Sequence, residues 1–289
     1  MCSSDLLLVL CGIFVSNFPF GKLDASGVWT WQSAADLRLP GVLQRIGLAY
    51  LIGAAILRTG GAALAFAFAV LVLPCGWWAA VTLGDLTLGG SAALRIDLAV
   101  FGPSHLYTGE HRPFDPEGLL GSLPATANLL AGFLALRTLS GPGDRLTTVR
   151  RVFLTGLALV ALAVLWSQWL PFNKKLWSSS FAVLNIGIDS AVLAALTWLT
   201  DLRGVRLGTA PFATLGANPL ALYILAEVLM ALAWTFRVGD QSVFMAIFDT
   251  VFAGQVTGRT GSFAFGLALT LLCWAVGRAL QRRSIFIRL

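Results

Sequence analysis

Charge is scarce in this sequence: Asp, Glu, Lys and Arg make up only 12% of its residues, about half the share of an ordinary soluble domain. With 57% hydrophobic residues and a mean hydropathy of +0.80, the chain cannot cover a water-facing surface with polar groups. Its solvent is therefore lipid, and a soluble enzyme is excluded. Histidine is nearly absent, with His105 and His111 alone, and the four cysteines Cys2, Cys11, Cys75 and Cys273 have no paired spacing. Zinc and disulfide frameworks are thereby unsupported, no metal is expected, and the cysteines read as small apolar fillers. No phosphate-binding glycine loop, dinucleotide fingerprint, zinc-protease or serine-hydrolase motif is present. The opening Met1 to Leu6 lacks the basic region of a signal peptide.

What is present is long apolar runs. In lipid every backbone N–H and C=O needs an internal partner, which leaves helices or closed barrels. Barrel strands alternate over about ten residues, whereas the runs here are continuous and longer. The expectation is an all-α, polytopic transmembrane helix bundle in a single domain, 1–289. About eight spans are read, near 6–20, 40–57, 61–83, 118–136, 152–170, 176–199, 216–235 and 262–281. The apolar stretch from Ser242 to Phe252 is too short to cross and reads as interfacial or re-entrant. Gly47, Gly53, Gly121 and Gly132 are the expected points of close helix contact.

The net charge of +6 does not form a nucleic-acid patch, because the basic residues fall between apolar runs. The loops after spans two, four and six and the C-terminal tail hold Arg58, Arg137, Arg145, Arg150, Arg151, Arg203, Arg206, Arg278, Arg282, Arg283 and Arg288, against only Asp144 and Asp201. The positive-inside rule makes these segments and the C-terminus cytoplasmic. The loops at 21–39, 84–117, 171–175 and 236–261 then face outward, with Trp77, Trp78, Trp169, Trp177 and Trp234 as an aromatic belt.

Polar chemistry concentrates on that outward side. Loop 84–117 carries both histidines, the residue type best placed to accept and return a proton near neutrality. Asp115 and Glu117 could orient an imidazole, or merely complement the dipole of span four. Asn173-Lys174-Lys175-Leu176-Trp177 places two lysines where the charge rule disfavours them, which suits either an anionic ligand or headgroup anchoring. Gln44 and Arg45 lie just inside span two, where a charge needs a partner, a wet cavity or a snorkelling path. Asp189 and Glu227 are read as buried intramembrane carboxylates, and Asn218-Pro219 opens span seven.

Taken in order, Leu39-Pro40-Gly41-Val42-Leu43-Gln44-Arg45-Ile46-Gly47, His105-Leu106-Tyr107, Asp115-Pro116-Glu117-Gly118, Asn173-Lys174-Lys175-Leu176-Trp177, Gly216-Ala217-Asn218-Pro219-Leu220 and Arg283-Ser284-Ile285-Phe286-Ile287 resemble the heparan-alpha-glucosaminide N-acetyltransferase family and its bacterial NagX-like membrane acyltransferases. The resemblance runs over essentially all of the chain. It implies a multi-pass enzyme using cytoplasmic acetyl-CoA as co-substrate and an amino-sugar or related glycan acceptor on the outer face. Arg45, Asn173 and Lys174 would line the outer end, and His105, Asp115 and Glu117 would hold the sugar. The family's catalytic histidine lies in a loop that should precede Met1, so the chain is expected to be N-terminally truncated; His105 matches a different family position.

The competing expectation is an amino-sugar or N-acetylglucosamine transporter, suggested by Asp189, Glu227 and the Pro-interrupted helix at Asn218-Pro219. Against it, no internal repeat relates the halves of the chain. The short loops favour a bacterial inner (cytoplasmic) membrane. The oligomeric state stays open, a homo-oligomer included.

Overall fold

The computed structural model describes residues 3–23, 27–253 and 259–287, and Cys2 and Arg288 lie outside them. Its architecture is helical, with two very short antiparallel hairpins: β1 (Gly21–Leu23) with β2 (Trp29–Trp31), and β3 (Arg237–Val238) with β4 (Gln241–Ser242). The described residues form two compact units.

The first unit comprises 1–13 and 35–205. It holds most of α1 (Ser3–Asn17), then α2 (Val42–Thr82), α3 (Ala92–Phe101), α4 (Leu119–Leu139), α5 (Arg145–Trp166) and α6 (Ser179–Thr197). At 41 residues α2 would be about 60 Å long if straight, twice the hydrocarbon thickness. It is not straight: Gly61 has φ 60° and ψ −152°, so two helical arms meet there. That break falls at the expected boundary between the second and third spans. The ten-residue helix α3 was not anticipated, since 84–117 reads as a loop.

Helices α5 and α6 pack tightly against each other at Gly156 and Gly187. A methyl group on Gly156 would come within 2.7 Å of the Gly187 carbonyl oxygen, and one on Gly187 within 2.7 Å of the Val160 nitrogen. Of the glycines expected at helix contacts, Gly47 faces the Asp5 carbonyl, Gly53 faces Leu129, and Gly121 faces Arg45. Gly132 is a correction: nothing lies within 4 Å of where its side chain would be.

The second unit comprises 14–34 and 206–289. Its helices are α7 (Thr209–Ala217), α8 (Pro219–Thr235), α9 (Val243–Ile247), continued by a π turn Phe248–Ala253, and α10 (Arg259–Arg282). Here α7 and α8 meet at 82°. Pro219 cannot donate a backbone bond and biases Asn218 away from helical angles, so the helix breaks between them. Trp234 stacks on Phe244 at 4.4 Å, and Phe265 meets Phe244, Phe248 and Phe252 edge-on.

Five described helices are long and apolar enough to cross a bilayer, or six if the bent pair counts as one. The expected count of about eight is not confirmed: α1 has 15 residues, α2 is counted as one helix although two arms meet at Gly61, and span 216–235 is broken at Asn218. In the most apolar window of each crossing helix, only 11% to 33% is buried within the chain. The remaining apolar surface needs lipid or protein against it, and the chain is a multi-pass membrane protein.

Candidate functional site

In the first unit, the 102–118 loop folds back over the segment leading into α2. The tie is electrostatic. Arg38 donates from Nε and Nη2 to the two oxygens of Asp115, both at 2.8 Å, and from Nη2 to Glu117 at 2.7 Å. Asp115 also accepts from the backbone N–H groups of Tyr107, at 3.2 Å, and Glu117, at 3.0 Å. Its side chain is wholly buried, and the Arg38 guanidinium sits over the Tyr107 ring. Such a bidentate pair fixes orientation as well as energy.

Burial alone would raise the Asp115 carboxyl, but the hydrogen bonds and charge of Arg38 more than offset it and hold it below the usual range. Glu117 goes the other way. Burial, with the neighbouring Asp115 charge, lifts it above its ordinary value despite Arg38 and Arg45.

Arg45 is buried one turn inside α2. Its Nη2 donates to the Pro116 carbonyl, and its guanidinium lies 4.8 Å from the centroid of the Trp177 ring. Trp177 has a left-handed backbone, φ 49°, which is uncommon for a bulky residue. The turn Asn173–Ser178 imposes it: Ser178 N–H donates to the Asn173 carbonyl, and Leu176 N–H to the Asn173 side chain. Gly121 on α4 gives Arg45 its room, since a methyl there would lie 2.8 Å from the guanidinium.

Asp97 completes the cluster from α3. It is fully buried, and its Oδ1 accepts from the Leu119 N–H at the start of α4, 2.9 Å away. Burial pushes its carboxyl up to about 6, with Asp115 adding and Arg45 opposing. Asp97 Oδ2 and Arg45 Nε are both buried with no hydrogen-bond partner. An orphan acceptor and an orphan donor on two buried charged groups are costly unless something fills them.

Of the residues singled out from sequence, the structure brings Arg45, Asp115, Glu117 and Trp177 into one cluster. Gln44 and His105 brace its edge, donating to Leu39 O at 3.1 Å and meeting Leu37 O through Nδ1 at 2.7 Å. Asn173 is a turn former, and Lys174 is exposed. Asn218 belongs to the second unit, fully buried, where it clamps the tail: Nδ2 donates to Ile285 O at 3.1 Å and Oδ1 accepts from Ile287 N–H at 2.6 Å. Asp189 and Glu227 require correction, for both are exposed on their helices rather than buried. Each sits on a helical face that the chain's own interior does not use.

Two members were missed, Arg38 and Asp97. Asp97 had a signal: it stands three and four residues after Leu94 and Ala93, on the one buried face of α3. Among the described residues, no three His, Cys, Asp or Glu side chains gather as metal ligands.

The same unit contains an apolar cavity of about 520 Å³ between α2, α4, α5 and α6. It runs from Thr138 and Arg151 at one end to Leu73 and Trp166 at the other.

No family model matches the chain. Heparan-alpha-glucosaminide N-acetyltransferase from Mus musculus is 25% identical over 78% of the chain, and the Homo sapiens protein of that name is 26% identical over the same share. The chain spans 42% and 41% of the lengths of these two relatives. They support, at the level of family, the resemblance carried by the motifs.

Proposed function

We propose that this chain acts as a transmembrane N-acetyltransferase, moving acetyl from acetyl-CoA to the amine of an amino sugar at the end of the bundle where Arg38, Arg45, Asp97, Asp115 and Glu117 gather. The observation that carries this reading is that cluster itself. In a lipid-solvated chain similar to named acetyltransferases, five charged groups share one end, and two of them keep buried hydrogen-bonding atoms unused. A sugar hydroxyl both donates and accepts, so it has the chemistry to answer either Asp97 Oδ2 or Arg45 Nε. The Arg38–Asp115–Glu117 network acts as the frame that keeps them in place.

The reaction balances without a further reagent. The amine nitrogen attacks the thioester carbonyl, a C–N bond forms, the C–S bond breaks, and the proton lost by the amine ends on the departing thiolate. The 520 Å³ cavity offers apolar room for the thioester arm, with Arg151 at the end suited to phosphates. Charge asymmetry supports an arginine-rich end that faces the cytoplasm, and the short loops support a bacterial cytoplasmic membrane.

The test is transfer of labelled acetyl from acetyl-CoA to glucosamine by membranes containing the chain, with Arg45→Lys and Asp97→Asn beside the parent. Transfer that falls at least tenfold in both variants, at unchanged protein level, supports the reading. Transfer unaffected by either variant removes the cluster from the site.

One observation favours a second reading, transport: the 82° break at Asn218-Pro219 is of the kind found at transporter sites. N-acetylglucosamine uptake into proteoliposomes, with no acetylated product formed, would select it.

A further inference from the structure

At the opposite end of the first unit, α5 and α6 frame a second cavity of about 660 Å³. Its walls are apolar, including Val149, Phe153, Ala194 and Trp198, and two cations enter it, Arg150 from α5 and Arg203 just past the π turn Trp198–Leu202. Arg203 lies over the Trp198 ring, 4.8 Å from its centroid. A π turn re-aims the side chains that follow a helix and recurs at functional sites.

The charge around this cavity is unbalanced. Arg137, Arg145, Arg150, Arg151 and Arg203 stand at this end against Asp144 and Asp201. Asp201 pairs with Arg145 at 3.3 Å. Asp144, whose charge Arg150 feels, caps α5 by accepting from the Thr147 N–H at 2.7 Å. Among the described residues, neither Arg150 nor Arg203 has a carboxylate within ion-pair distance. Arg150 lies five residues into α5, about 8 Å along its axis, with Phe153 nearly one turn deeper. Along α5 the cation therefore sits nearer the helix end than Phe153, which continues the apolar wall.

We propose that this groove binds an anionic phospholipid, its phosphate held by Arg150 and Arg203 and one acyl chain laid along the exposed Phe153, Ala195 and Trp198. A soluble anion would leave the apolar wall bare, and a neutral lipid would leave both arginines unanswered. An anionic amphiphile satisfies both halves, and basic pockets between transmembrane helices at the cytoplasmic face take such headgroups. The inference is independent of the acetyl-transfer reading.

The test uses the full chain in neutral detergent, with phosphatidylglycerol or phosphatidylcholine added and retention counted by native mass spectrometry. Phosphatidylglycerol is expected to stay bound, and Arg150→Gln with Arg203→Gln to weaken it about thirtyfold, as two basic residues near an anionic surface imply. The double Lys variant should restore most retention, separating charge from misfolding. Ala195→Trp, which fills the cavity without touching the arginines, should abolish photocrosslinking from an acyl-chain diazirine. Equal retention of phosphatidylcholine, undiminished binding by the Gln pair, or displacement of phosphatidylglycerol by acetyl-CoA would each overturn the proposal, the last in favour of a nucleotide.

Discussion

The two ends of the first unit hold arginine in opposite ways. At one end Arg38 and Arg45 are enclosed and outnumbered by Asp97, Asp115 and Glu117, so the carboxylates compete for cations. At the other, five arginines face two aspartates, and Arg150 and Arg203 are exposed. The first arrangement fixes a loop in place, because Arg38, Asp115 and Glu117 are paired within the chain and only single atoms of Asp97 and Arg45 are left without a partner. The second leaves charge over, and surplus charge beside apolar walls is what an external ligand requires. Burial with partners builds structure; exposure without them builds affinity.

The sharpest way to break this contrast is to remove one carboxylate from each end. Asp115→Ala takes the bidentate partner from Arg38 and an acceptor from two backbone N–H groups. Breaking a buried pair from one side costs about 3–5 kcal/mol, read as a fall in melting temperature in detergent. Asp201→Ala removes the partner of Arg145 from an exposed pair, 61% and 52% accessible, and should cost less than about 1 kcal/mol. Equal losses at the two ends would dissolve the distinction.

Asp97 gives the next largest effect, and one with a sign. Its carboxyl lies at about 6 in the folded chain against an ordinary 3.8, because burial penalises its charge. The folded state therefore holds the proton more tightly than the unfolded state. That contribution is fully present below the ordinary value and is lost as pH rises through about 6. That rise corresponds to about 3 kcal/mol. Asp97→Asn should consequently gain stability relative to the parent as pH rises from 4 to 7. A stability difference that stays flat over that interval would mean Asp97 is not desolvated.

Trp177 follows. Replacing it with Leu keeps apolar bulk but loses the ring over Arg45, for about 1–2 kcal/mol, whereas Phe should recover much of that. Equal melting temperatures for Leu and Phe would show that the ring face contributes nothing.

These residues also show what the sequence made legible. The crossing helices were readable because lipid demands long apolar runs: 118–136 became Leu119–Leu139, and 262–281 became Arg259–Arg282. Arg45, Asp115 and Glu117 were readable because a charge beside or inside such a run is conspicuous. Arg38 was not, since nothing local distinguishes it from any loop arginine and its partners lie 77 and 79 residues away. Asp97 hid in a segment polar enough to pass for loop. Asn218 was conspicuous because it opens a span beside Pro219, but the tail it clamps, Ile285 to Ile287, lies 67 and 69 residues away and left no local sign.

The smallest effect tests the comparison within a single loop. Lys175 pairs with Glu110 at 2.6 Å, shorter than either oxygen contact of Arg38 with Asp115, yet its side chain is 48% exposed. Distance alone would rank this pair first. Solvent reverses the order: water competes for both partners, and ordering a long lysine side chain takes back part of the Coulomb gain. Lys175→Met should therefore shift stability by no more than about 0.5 kcal/mol, a difference that shrinks further in high salt. The cost of Asp115→Ala should be nearly insensitive to salt, because its charges are buried. If the two respond to salt alike, burial is not what separates the pair that builds the site from the pair that merely decorates its loop.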